Sequence, residues 1–119
     1  MATYSKQLLS GSTNGRAIKV AATATAGTLI HTAITGTTDM DEIYLYVTNT
    51  DTVARNLTIE YGGVADPDDL ICKAMEVPAK SPPIPIVMGL ILQNSLVVRA
   101  FGSAANVLLI SGFVNRLDN

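Results

Sequence analysis

A chain of 119 residues is long enough for one core and too short for two with a linker, so a single domain is expected. Charged residues are 15% of it and hydrophobic ones 48%, well short of the roughly 25% charged in an ordinary soluble domain, so part of the surface is expected to be covered by other chains. The formal net charge is −2, and the eight basic residues are scattered from Lys6 to Arg116, which leaves no basic stripe to follow a phosphate backbone.

Helical spacing fails almost everywhere, because Thr, Val and Ile dominate and Gly, Asn or Asp interrupts each run. Short strands between turns are the expectation. The first residues, 1–14, form an arm ahead of the domain at 15–119. Within it Ala2 to Ser10 carries Tyr4, Leu8 and Leu9, which either pack on their own domain or add a strand to a neighbouring subunit. Gly11-Ser12-Thr13-Asn14-Gly15 lacks the Gly-Lys-Ser/Thr ending of a phosphate loop and reads as a flexible joint. Arg16 to Thr23 and Thr28 to Ala33 follow as strands, split at Ala26-Gly27.

The clearest strand is Glu42 to Thr50, with Ile43, Leu45 and Val47 on one face and Tyr44, Tyr46 and Thr48 on the other. Arg55 to Tyr61 alternates in the same way, with Asn56, Thr58 and Glu60 on its wet face. The turn residues Asn49-Thr50-Asp51-Thr52 between the two predict a β-hairpin. Residues 66–77 carry helix-start signals at Asp66-Pro67-Asp68-Asp69, but the following apolar residues and Pro78 favour an irregular strand. Ile84 to Leu92, Leu96 to Phe101 and Asn106 to Asn115 complete the set. Ile86 to Leu92 and Val107 to Val114 are apolar on both faces, so each is expected between two layers or at a subunit interface. About eight strands without a repeat predict an all-β antiparallel sandwich of the jelly-roll kind.

No chemistry-bearing constellation is evident. His31 is the one histidine and lacks partners at metal-ligand spacing, so it reads as a strand residue near a surface or interface. The one cysteine, Cys72, has no internal disulfide partner and reads as a small buried apolar residue. The acidic groups Asp39-Met40-Asp41-Glu42 and Asp66-Pro67-Asp68-Asp69 match no calcium loop and read as turn formers and edge protection. No enzyme activity, metal, cofactor or nucleic-acid partner is expected. The polar N-terminus resembles no signal peptide, and no apolar run approaches the roughly 20 residues of a membrane span, so no membrane partner is expected.

The runs Tyr44-Leu45-Tyr46-Val47-Thr48-Asn49-Thr50-Asp51 and Leu57-Thr58-Ile59-Glu60-Tyr61-Gly62-Gly63 carry a resemblance, together with Val77-Pro78-Ala79-Lys80 and Ile110-Ser111-Gly112-Phe113-Val114-Asn115-Arg116. Residues 28 to 116 are similar in texture and order to small structural proteins of tailed-bacteriophage particles, including β-sandwich or jelly-roll head-decoration subunits. The resemblance implies a homo-oligomer, a trimer above all, that is made in the host cytoplasm and reinforces the virion by binding the major capsid protein or other virion proteins. It brings no catalytic residues. Tyr4, Leu8, Leu9, Tyr44 and Tyr46 are the expected interface residues. Tail, neck or fibre components are alternatives, as is a carbohydrate- or receptor-binding module in which Tyr44, Tyr46 or Tyr61 faces a sugar.

Overall fold

A computed structural model describes residues 2–119. The strands are β1 (Thr3–Leu8), β2 (Ile18–Lys19), β3 (Thr28–Thr32), β4 (Met40–Asn49), β5 (Arg55–Tyr61), β6 (Leu70–Val77), β7 (Ile84–Leu92), β8 (Val97–Gly102) and β9 (Leu108–Asp118). Among the described residues there is no helix, and therefore none long and apolar enough to cross a membrane. The segment with helix-start signals makes only a turn, with the Asp69 amide donating to the Ala65 carbonyl, before β6 begins.

The strands pair as one long antiparallel hairpin, β5 with β6, β4 with β7, β3 with β8 and β2 with β9. Rolling that hairpin sends alternate pairs to alternate sheets. The first sheet runs β1-β9-β4-β7, with β2 beside β1 on the same flank of β9, and the second runs β3-β8-β5-β6. This winding is the jelly roll, and it makes β9, β4, β8 and β5 the central strands. Ile43, Leu45, Val47, Ile110 and Val114 from the first sheet meet Ile30, Leu57, Ile59, Val98 and Ala100 from the second in one core. Gly112 lets β9 approach β4, since a Cβ there would run into the Tyr44 carbonyl oxygen.

Three expectations change. β4 and β5 do not form a hairpin, because β4 is flanked by β7 and β9 and β5 by β6 and β8. The turn after β4 carries the chain from one sheet to the other. Buried Asn49 organises it: its side-chain amide donates to the carbonyls of Val53 (3.0 Å) and Val77 (3.1 Å), and its side-chain oxygen accepts the Asp51 amide (2.9 Å).

The second change concerns the two doubly apolar runs. β9 is a central strand of its sheet, but only its inner face is buried and its outer face, with Phe113, is half-buried, whereas β7 is an edge strand bonded only to β4. Met88, Leu90 and Ile91 of β7 stand 50%, 45% and 54% exposed, so no second layer covers them.

The third change is on β5. Thr58 and Glu60, expected to be wet, are 5% and 1% exposed beneath residues 21–27, of which 21–23 had been expected in a strand. Of the expected strand at Arg16 to Thr23 only Ile18–Lys19 is strand. The Glu60 carboxylate holds the covering segment, accepting the Gly27 amide at 2.7 Å and the Thr25 hydroxyl at 2.5 Å. Glu60→Ala is expected to free residues 21–27, lowering stability by about 1–3 kcal/mol. Hydrogen exchange would then show lost protection at the Gly27 amide, and unchanged protection would refute the tether.

Candidate functional site

The expected interface residues divide between two places. Leu9 is 2% exposed in the core, fixed there because the chain turns inward where the Gly11 amide donates to the Ile30 carbonyl; it has no surface to offer a neighbour. The supposed flexible joint is thus a bonded turn, closed further by Ser12 to Leu9 and Arg16 to Thr13. The arm itself packs on its own domain, β1 pairing with residues 113–118 of β9.

Tyr4, Leu8, Tyr44 and Tyr46 all lie on the outer face of the first sheet. In an antiparallel sheet, residues opposite one another share a face, and the register aligns Leu8, Phe113, Tyr44 and Met88 in a row across β1, β9, β4 and β7. A parallel row holds Tyr4, Leu117 and Met40. Between them runs Lys6, Asn115, Glu42 and Ile91. The Phe113 and Tyr44 rings stack with centroids 4.7 Å apart and planes 9° from parallel. Lys6 closes one end, with its ammonium 4.8 Å from the Phe113 centroid. At the other end the Tyr44 ring rests against Gly89, which has φ +83 at the β7 bulge and whose missing Cβ makes room for the ring.

This stack is a preformed ledge. Stacked aromatics lose little side-chain freedom on binding and are enriched in interface cores. Tyr4 at 63% and Leu8 at 55% exposure extend it to the β1 edge, and Met88 and Ile91 extend it to the β7 edge. The chain matches no protein-family model, no curated protein and no solved structure. The outer face is therefore read from its own chemistry.

Inside the sandwich lies a polar cluster that the sequence did not announce. His31 is 1% exposed and Asp41 0%, so the histidine is a core residue, not a surface one. Its Nδ1 accepts the Ser10 amide at 3.0 Å, so Nε2 carries the ring proton and donates to Asp41 Oδ2 at 2.8 Å. Arg116 completes the cluster, donating to Asp41 from Nε at 2.8 Å and from Nη2 at 3.2 Å. Burial pushes the Asp41 carboxyl up, but the bonds from Arg116 and His31 outweigh it and hold the carboxyl below its ordinary value. The same bond from Asp41 raises the Arg116 guanidinium against the opposing effect of burial.

Ser10, His31 and Asp41 thus meet, but not as a nucleophile and its base. The Ser10 hydroxyl accepts the Thr32 amide at 2.6 Å, and both ring nitrogens of His31 are bonded elsewhere. A base must reach the proton it removes. What the cluster does is join the end of the arm to β3, β4 and β9.

The remaining candidates are placed as follows. Cys72 is half-buried, burial pushes its thiol up, and it reaches the Leu57 carbonyl at 3.5 Å. In the acidic groups Asp41 is buried, Asp39 accepts the Asn119 amide, Asp66 pairs with Lys73 at 3.0 Å and Asp69 accepts the Ala65 amide. Among the described residues no group of three His, Cys, Asp or Glu could hold a metal ion. Tyr61, a candidate for facing a sugar, has its hydroxyl buried without a partner; burial first, then the Asp41 charge, pushes it above its ordinary value. A cleft of about 220 Å³ beside Glu60, Thr25 and Asp66 is smaller than the roughly 300–1,000 Å³ of small-molecule sites, and the Glu60 oxygens facing it are already bonded.

Proposed function

We propose that the chain is a virion structural subunit, a capsid decoration protein that assembles with copies of itself and reinforces the head by binding other virion proteins. The observation that carries the assembly part is the outer face of the first sheet, where Leu8, Phe113, Tyr44 and Met88 make an uncovered apolar row four strands wide. An apolar strip of that extent on a small domain favours association. The jelly roll supports the same reading mechanically: every central strand is bonded on both sides, so the face is presented by a stiff frame. The virion setting comes from the likeness of residues 28 to 116 to phage particle proteins.

Light scattering across a concentration series should give a mass above that of one chain. Tyr44→Ser with Phe113→Ser should weaken association at least about tenfold, since aromatic anchors dominate interface energetics, while leaving the β circular-dichroism signature. Cosedimentation with heads assembled from the cognate capsid protein tests the decoration step. A chain that stays monomeric at every concentration and does not pellet with heads would sink the proposal.

A further inference from the structure

We infer that the outer face of the first sheet pairs with the same face of a second copy about a two-fold axis parallel to β9. The inference rests on the assembly reading above and identifies the occupant of that surface. Two sheets packed face to face keep their strands within about 30° of each other, and rotation about an axis over β9 lays each cross-strand row onto itself reversed. The row Lys6, Asn115, Glu42 then lies on Glu42, Asn115, Lys6 of the second copy. Each Lys6 meets a Glu42, twice over.

The neighbouring rows agree. Leu8, Phe113, Tyr44 falls on Tyr44, Phe113, Leu8, and Tyr4, Leu117, Met40 on its own reverse, apolar against apolar throughout. An axis running across the strands through Phe113 would instead set Glu42 on Tyr46 and leave both charges without partners, at the cost that desolvated unpaired charges carry. A cyclic trimer joins two different patches of each chain, whereas these rows are complementary to themselves. The footprint of β1, β9 and β4 is roughly 440 Å² per copy from strand spacing and rise, which brings the pair to roughly 900 Å², near the figure of about 1,000 Å² for a specific interface. Edge strand β7 lies beyond it.

The test is a mixing experiment between two charge-reversal variants, Lys6→Glu and Glu42→Lys, followed by light scattering and native mass spectrometry. Alone, each variant opposes like charges at both contacts and should dimerise about tenfold or more weakly than wild type. Mixed one to one, every contact again pairs opposite charges, so heterodimers should form with close to wild-type affinity. Because the rescue occurs between chains, it also shows that both variants are folded. A mixture that stays monomeric, single variants that dimerise like wild type, or a wild-type trimer would each overturn the two-fold while leaving assembly intact. A wild-type protein that is monomeric throughout would overturn both.

Discussion

Asp41→Asn is expected to lower the stability of the domain by about 3–5 kcal/mol, the usual result of removing one partner from a buried ion pair. The carboxylate accepts from His31, from two nitrogens of Arg116 and from the Ile34 amide at 3.1 Å. An amide supplies one acceptor oxygen and turns a donor toward groups that are themselves donors. Arg116, whose side chain is 23% exposed, keeps its charge and loses its counterion. Against a total stability of about 5–15 kcal/mol, the urea midpoint should fall by about a fifth or more.

The same carboxylate sets an acid limit. Its pKa in the fold lies below the ordinary 3.8, so the folded state binds this proton less readily than the unfolded chain. The stability it contributes is therefore present above about pH 4 and is lost as pH falls through the lower folded value. Wild-type urea midpoints should drop steeply below pH 4. Asp41→Asn should start lower and drop less, and equal slopes for the two proteins would place the acid sensitivity elsewhere.

The signal for Asp41 stood in the alternation of β4. If Ile43, Leu45 and Val47 face the core, the same parity sends Asp41 and Asn49 inward, and both are buried. Reading Asp41 as one of an acidic cluster and Asn49 as a turn former obscured that. His31 was not legible, because a bulge between Leu29 and His31 turns two successive residues, Ile30 and His31, into the interior, and strict alternation does not allow for it. The number and kind of elements were legible, since β-branched runs between turn residues have few other outcomes. Strand partners were not: sequence neighbours β4 and β5 are both central strands in different sheets, β4 pairing with the distant β7 and β9, and β5 with the next strand β6 and the distant β8. β7 looks as apolar as β9, yet only long-range pairing decides which becomes the centre and which the edge. The outer-face aromatics Tyr44 and Tyr46 were legible from alternation, whereas Phe113 and the Lys6, Asn115, Glu42 row required the register of β1, β9 and β4.

Asn49 carries the second large expected effect, because it converts a turn that resembles a hairpin into a passage between sheets. Its side chain donates to Val53 and to Val77, the last residue of β6 in the opposite sheet, while the Ser81 amide donates to the Asn49 carbonyl (3.0 Å) and the Ser81 hydroxyl accepts the Asn49 amide (3.0 Å). Asn49→Ala removes the side-chain donor to the Val77 and Val53 carbonyls and should cost about 2–3 kcal/mol. Asn49→Asp retains an acceptor for the Asp51 amide but sets a carboxylate against two carbonyl oxygens, so near neutral pH it should be worse than alanine despite its closer shape. That ordering separates directed donation by the amide from simple loss of packing, which would rank the two variants the other way. Denaturation midpoints for the three proteins decide it: an aspartate variant as stable as wild type would mean that the crossing is held by the Ser81 bonds to the Asn49 backbone and not by the Asn49 amide.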